Sequence, residues 1–413
     1  MKKTAGTAGK AGYKLTRFGW IPEEWAVMKL GDVTSQVTVG IASAATHAYQ
    51  STGIILLRNL NIKEGYLDTS DLLFIGEEYE HSFRNKRLRV GDILTVRTGY
   101  PGISAVVTQE FENAQSFTTL ISRPIPSIVD SDYLCYLINS EIGKDFVNNG
   151  QAGGGQKNIN AGTLTQFTFP LPTKSEQGRV VYFLKQWEKY ENGLANLIEA
   201  KRTYKRGLMQ QLLTGQRRFP EFQGQPWPLA SIGEMITESR ESLPVSNPHE
   251  RITVRLNLNG VEARDVRGTE AEDATVYYLR RAGQFIYGKQ NLHKGAMGII
   301  PAELDGYSST QDMPTFDFSA TVNPQWFLYL MSREDFYLNL EKIATGTGSK
   351  RIQPASLYKI KVPFPSLPEQ QRIAAVLTAC DQEIELLQAQ LHQWQQQKKG
   401  LMQQLLTGRL RVG

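Results

Sequence analysis

Nothing in these 413 residues approaches roughly eighteen consecutive apolar side chains, so no membrane-spanning helix is expected. Cysteine is nearly missing. Cys135 and Cys380 lie far apart, each in an apolar helix-like pattern, which argues against a disulfide framework and for buried thiols in a reducing cytoplasm. The five histidines are scattered without ligand spacing, so no metal site, zinc included, is expected. Charge of one sign is also in short supply: 46 Lys+Arg against 41 Asp+Glu leave +5, which permits nucleic-acid binding without locating it. The opening MKKTAGTAGKAG is basic and rich in small residues but has no apolar stretch, so residues 1–12 read as a disordered tail rather than a signal peptide.

What the chain does have is a copy of itself. Gly207-Leu-Met-Gln-Gln-Leu-Leu-Thr-Gly215 returns letter for letter as Gly400–Gly408, an offset of 193. The same offset carries Pro170-Leu-Pro172 onto Pro363-Phe-Pro365, and Glu176-Gln177 with Arg179 onto Glu369-Gln370 with Arg372. It also carries Gly155-Gln-Lys157 onto Gly348-Ser-Lys350, and Tyr133–Leu137 onto Trp326–Leu330. Toward each copy's start the register drifts: Trp25 before Leu30-Gly31 matches Trp227 before Ile232-Gly233 at an offset of 202. One scaffold thus appears twice with different interiors, about 34–125 and 236–318.

The fold class expected is α/β (α+β), with two similar mixed domains at 13–172 and 216–365. Strand-like runs are Ile54–Leu57, Asp92–Val96 and Ser104–Val107 in one copy, Ile252–Val254, Gln284–Tyr287 and Gly298–Ile300 in the other, as for one curved mixed sheet. Helices are predicted at about 130–147 and 324–342, each followed by a Gly-rich loop and a short strand. Long helices occupy 173–215 and 366–413, opened by apparent capping boxes, Thr173-x-x-Glu176 and Ser366-x-x-Glu369. Their apolar positions step by three and four. Leu184, Trp187, Leu194, Ile198, Leu208 and Leu212 form one seam, and Leu377, Ile384, Leu387, Leu391, Trp394, Leu401 and Leu405 the other. Each helix is the natural antiparallel partner of the other, giving a rod between two domains with an approximate two-fold axis.

The ordered motifs resemble the specificity (S) subunit of type I restriction–modification systems. They are Gly19-Trp-Ile-Pro-Glu-Glu-Trp25, Gly91-Asp-Ile-Leu94 with Arg97-x-Gly99-x-x-Gly102, Gly155-Gln-Lys-Asn-Ile159, Pro170-Leu-Pro172 with Glu176-Gln177, and the Leu-Leu-Thr-Gly helix ends. The resemblance runs from Tyr13 almost to the end and implies a non-catalytic subunit whose two target recognition domains each read half of a bipartite asymmetric DNA target. It implies that the coiled coil docks two methyltransferase subunits, which would carry S-adenosylmethionine, and that restriction subunits can join. In the second copy Gly283-Gln-Phe-Ile replaces Gly91-Asp-Ile-Leu, and Lys289 replaces Arg97.

A reader of duplex DNA needs cations for phosphates and planar donors for base edges. Candidates in the first domain are Arg84, Lys86 and Arg87 in a basic run, then Arg97, Thr98 and Tyr100 where a strand enters a Gly/Pro turn. Lys289, Gln290 and Lys294 are their counterparts. Gln156, Lys157 and Asn158, with Ser349, Lys350 and Arg351, flank glycines that let backbone N–H groups approach a phosphate. A structural turn remains an alternative at each of these places. Arg217-Arg218 and Arg409/Arg411 are expected only to complement helix C-termini.

No catalytic constellation emerges. Asn323-Pro-Gln-Trp326 is similar to the Asn-Pro-Pro-aromatic motif of adenine methyltransferases, but has Gln at the third position and reads as a helix start with Asn323 as N-cap. The Gly loops lack the Gly-Lys-Ser/Thr ending of a nucleotide-binding loop. An alternative reading is a structural adaptor, with the coiled coil as its working part and the α/β domains binding protein.

Overall fold

The computed structural model describes residues 10–43, 45–149, 158–244, 246–266, 276–346 and 350–412. The chain divides into two compact units, residues 1–193 with 391–413, and residues 194–390. The division falls within both long helices. Each is cut near its middle, because each half packs on a different globular body.

In the first unit the central sheet contains β1 (Thr34–Val39), β2 (Ile93–Thr95), β3 (Ser104–Val106) and β4 (Leu120–Pro124), all neighbours antiparallel in the order β3-β2-β4-β1. Helix α1 (Ser131–Asn139) packs Tyr133, Leu134 and Leu137 into a core with Ile93 and Leu120. Helix α2 is Lys174–Leu213, 40 residues or about 60 Å. The second unit repeats the design with β5 (Ile236–Ser239), β6 (Phe285–Tyr287), β7 (Met297–Ile299) and β8 (Thr315–Phe318). The order β5-β8-β6-β7 is the same arrangement. Helix α3 (Pro324–Met331) and the 40-residue helix α4 (Leu367–Leu406) complete it.

The units diverge outside this sheet. A second, four-stranded sheet in the first unit includes a parallel pairing of Gln115–Ser116 with Ile54–Leu57. Its counterpart in the second unit has three strands, all antiparallel. Among the described residues several separate sheets of two to four strands in each unit thus replace the single curved sheet expected from the strand pattern. The predicted helix over 130–147 is also broken. Ser140 takes an extended conformation and its hydroxyl donates to the Leu137 carbonyl, so a separate helix runs over Glu141–Asn149. Likewise α3 ends at Met331 and a new helix covers Glu334–Asn339. The N-cap of α3 is Asn323, whose side chain accepts from the Trp326 amide.

The two helices pack antiparallel within each unit. In the first, Val180, Val181 and Leu184 share a core with Leu405 and Leu406, and Trp187 stacks on Trp394 at 4.2 Å between ring centroids. In the second, Leu208 and Leu212 share a core with Ile373 and Leu377. Lys205 pairs with Asp381, and Lys201 with Glu383 at 2.6 Å. Among the other seam positions Leu194, Ile198 and Ile384 are buried, while Leu387, Leu391 and Leu401 are half-buried.

The glutamates at the starts of the long helices do not close the expected capping boxes, because their carboxylates bind other partners. The Glu176 amide donates to Thr173 Oγ1 at 3.4 Å, but the Glu176 carboxylate turns into the unit. There Trp25 Nε1 donates to it at 2.9 Å and Arg411 binds it through Nε at 2.9 Å and Nη2 at 3.1 Å. Glu369 likewise accepts from Trp227 Nε1 at 2.7 Å and from Arg218 at 2.9 and 2.7 Å. Arg218 and Arg411, assigned to helix ends from sequence, are thus ligands of buried carboxylates, which hold both guanidinium pKa values above their ordinary range. The adjacent Gln177 and Gln370 make matching sets of bonds. Each side chain donates to two carbonyls (Ile128 and Pro172; Thr321 and Pro365) and accepts one amide (Asp130; Asn323).

Candidate nucleic-acid interface

In both units the strand β2 or β6 runs into a loop that carries the predicted contact residues. Ile159 anchors the first loop by donating its amide to the Arg97 carbonyl at 3.1 Å. In the second unit Ile352 donates to the Lys289 carbonyl at 2.8 Å. The replacement of Arg97 by Lys289 is therefore a true structural equivalence. Gly102, at φ +99, closes the first loop by donating its amide to the Val96 carbonyl; a Cβ there would lie 2.9 Å from Val147.

Arg97 and Thr98 are half-buried on the first loop, and Tyr100 at its tip is 80% exposed. Thr98 bridges to Asn158, an exposed residue that brings the following segment alongside. Asn59, which sequence reasoning missed, braces the loop: its Oδ1 accepts from the Arg97 amide at 3.4 Å and its Nδ2 donates to Thr98 Oγ1 at 3.1 Å. Gln156 and Lys157 lie outside the described residues, as does Ser349.

The second unit gathers Lys289, Lys294, Lys350 and Arg351 around two carboxylates. The Asp312 carbonyl accepts the Lys289 amide at 2.9 Å, and the Asp312 carboxylate lies 3.3 Å from Arg351. Lys350 pairs with Glu341 at 3.0 Å and is the main reason the Glu341 pKa lies below its ordinary value, with His293 and Lys294 adding to it. Lys294 and Gln290 are exposed beside these pairs, so cations reach the surface here, although the adjoining helix Glu334–Asn339 adds Glu334 and Asp335. Such a surface suits a polyanion. Asp312 and Glu341 carry no repeat signal; only the folded chain reveals them as the partners that orient Arg351 and Lys350.

The basic run at 84–89 is used differently. Arg87 makes a two-pronged bond to buried Glu80, at 2.7 and 2.6 Å, and Glu80 also accepts from Gln115 at 2.7 Å. Lys86 donates to the Gly40 carbonyl at 2.9 Å. Both charges are engaged within the fold, whereas Arg84 is exposed on a short turn of helix. Among the described residues no cluster of His, Cys, Asp or Glu could hold a metal ion, and no helix is long and apolar enough to cross a membrane.

A repeated α/β body with a braced, cation-bearing loop defines a class of tandem recognition proteins. The family described as type I restriction modification DNA specificity domain matches residues 22–200 and 278–394, and the chain belongs to that family. It is 25% identical over 431 residues to the MjaX specificity subunit of a type I restriction enzyme from Methanocaldococcus jannaschii, covering 97% of each chain. The MjaVIII specificity subunit of the same organism is 22% identical, covering 95% of this chain and 94% of its own. A structure of a type I R-M system superposes with a TM-score of 0.60 at 15% identity, covering 94% of this chain and 99% of that one. The S subunit from M. genitalium gives 0.53 at 14% identity over 92% and 96%. At these identities the structural likeness concerns the fold.

Proposed function

We propose that this chain is the non-catalytic sequence-specificity subunit of a type I restriction–modification complex, each unit reading one half of a bipartite, asymmetric duplex target. The observation that carries this reading is the duplicated loop after β2 and β6. It is anchored by Ile159 or Ile352 at the same place in each unit, yet bears Arg97, Thr98 and Tyr100 in one and Lys289, Gln290 and Lys294 in the other. The same mount with different tips is what two unlike half-sites require. Lys350 and Arg351, with Asn158 and Lys157, are assigned to phosphates, which position a reader without informing it.

The long helices serve the partners. Tyr182, Tyr204 and Leu386 lie on them with 68%, 60% and 71% of their surface exposed, apolar area suited to covering by protein. Two methyltransferase subunits docked there would supply S-adenosylmethionine and the chemistry; restriction subunits would join that complex in the cytoplasm.

The test is to express the chain with a type I methyltransferase and map methylated bases on host DNA. The expected result is a split motif whose halves lie roughly one turn of DNA apart, centre to centre. A continuous palindrome, or binding by the complex that is indifferent to both salt and sequence, would overturn the reading; the second outcome favours the adaptor.

A further inference from the structure

Beside each reading loop lies a turn that the constant 193-residue register hides. Arg58-Asn59-Leu60-Asn61 follows the strand Ile54–Leu57, and Arg255-Leu256-Asn257-Leu258-Asn259 follows the strand Ile252–Val254. The shared Asn-Leu-Asn stands at an offset of 198 (Asn59 to Asn257), so length changes inside the variable region conceal it.

Both turns are tied to their loops, by different bonds. Asn59 uses its side chain on Arg97 and Thr98, as described above. In the second unit the amides of Asn257 and Leu258 donate to the carbonyls of Lys294 and Gly295 at 2.9 and 3.0 Å. Gly295, at φ +74, suits this place, since any other residue would be strained there and its Cβ would lie a tight 3.0 Å from the Leu258 nitrogen. Turn and loop thus form one braced surface in each unit.

Asn61 is buried and turned inward, donating to the carbonyls of Asp68 and Asp71 at 3.0 Å each. In the first unit the outward group is Leu60, 67% exposed; in the second all of Arg255–Asn259 is exposed, with Leu256 at 42% and Leu258 at 39%. Asn257 and Leu258 both hold left-handed backbones, φ 59 and 60, a conformation that asparagine adopts readily and leucine does not. Each leucine is thus carried on a turn bonded to a loop with a cation, Arg97 in one unit and Lys294 in the other, and such cations draw in phosphates. The apolar feature of a duplex groove is the thymine C5-methyl.

We propose that Leu60 and Leu258 are specificity-determining residues, each making an apolar contact with a thymine methyl in its own half-site. The proposal rests on the DNA-reading function above. Duplex DNA randomised in both half-sites is selected with the assembled methyltransferase complex carrying wild-type chain, Leu60→Ala, Leu258→Ala or Leu258→Asn; asparagine tolerates the left-handed backbone. Each variant should relax preference at a thymine-bearing position of one half-site only, by roughly fourfold, the worth of a buried methyl group. Deoxyuridine at that position should weaken wild-type binding by the same factor and leave the alanine variant indifferent. Unchanged preference, a uniform loss on all sequences, or a change confined to G·C positions would overturn the proposal. If the wild-type complex shows no split preference at all, it is the DNA-reading function that fails.

Discussion

Arg411→Met removes the exposed side of a half-buried ion pair near the end of the chain. The carboxylate it leaves, Glu176, has a side chain only 2% exposed and would keep the Trp25 N–H as its donor. Breaking a fully buried pair costs about 3–5 kcal/mol. The Arg411 side chain, however, is 43% exposed, so water screens the pair and the expected loss falls to about 2 kcal/mol. The equivalent Arg218 is only 16% exposed, its partner Glu369 1%, and its guanidinium also lies 5.2 Å from the Trp227 ring centroid. Arg218→Met should therefore cost more, about 3–4 kcal/mol. Urea unfolding followed by tryptophan fluorescence measures both, Trp25 and Trp227 being the other ligands of the two carboxylates. Glu176→Gln, which keeps an acceptor for Trp25 but drops the charge, should recover about half the loss when combined with Arg411→Met. Equal costs for the two arginines, or no recovery in the double variant, would refute the argument from burial.

Two further outcomes follow from particular contacts. Burial pulls the Arg280 guanidinium down to about 10, and it is held by neutral acceptors: Ser309 Oγ and Thr315 Oγ1 at 2.7 Å and the carbonyls of Met313 and Ser239 at 3.1 and 3.2 Å. Arg280→Met strands these groups, at a cost of about 3 kcal/mol, and should loosen 308–315 in hydrogen exchange while weakening the second half-site alone; equal weakening of both half-sites would contradict it. Trp394→Ala removes the stack on Trp187 and the contact with Tyr190 at 4.3 Å. With the ring half-buried, the expected cost is about 2 kcal/mol, read as a lowered Tm by circular dichroism; an unchanged Tm would show that the seam does not depend on this pair.

Much of the architecture was legible along the chain because its signals are local. The 3.5-residue apolar period from Leu184 to Leu212 and from Leu377 to Leu405 is a property of neighbouring residues, and so is the N-cap at Asn323. The break at Ser140 was not legible, since Tyr133–Val147 keeps a helical apolar pattern across it. The candidate interface was half legible. Arg97 and Lys289 stood out at a strand–turn junction, but Asn59, Asp312 and Glu341 act across gaps of 38, 23 and 9 residues respectively, to Arg97, Lys289 and Lys350, with no motif to mark them.

By itself the sequence determined that this protein is built twice. A residue-for-residue repeat at one offset demands two copies of one backbone, since the same side chains at the same spacing satisfy the same packing and hydrogen-bonding needs. Only the tertiary structure decided how each copy is completed. Arg218, in the segment after the first helix, serves the glutamate of the second unit, while Arg411, in the segment after the second helix, serves the first. It also decided which cations have partners within the fold: Arg87 pairs with Glu80 and Lys86 donates to the Gly40 carbonyl, whereas Lys294 stands exposed. The physical reason is the same in both cases. A charge on a linear chain has no environment until folding chooses its neighbours, and that choice settles whether it holds the protein together or faces a partner.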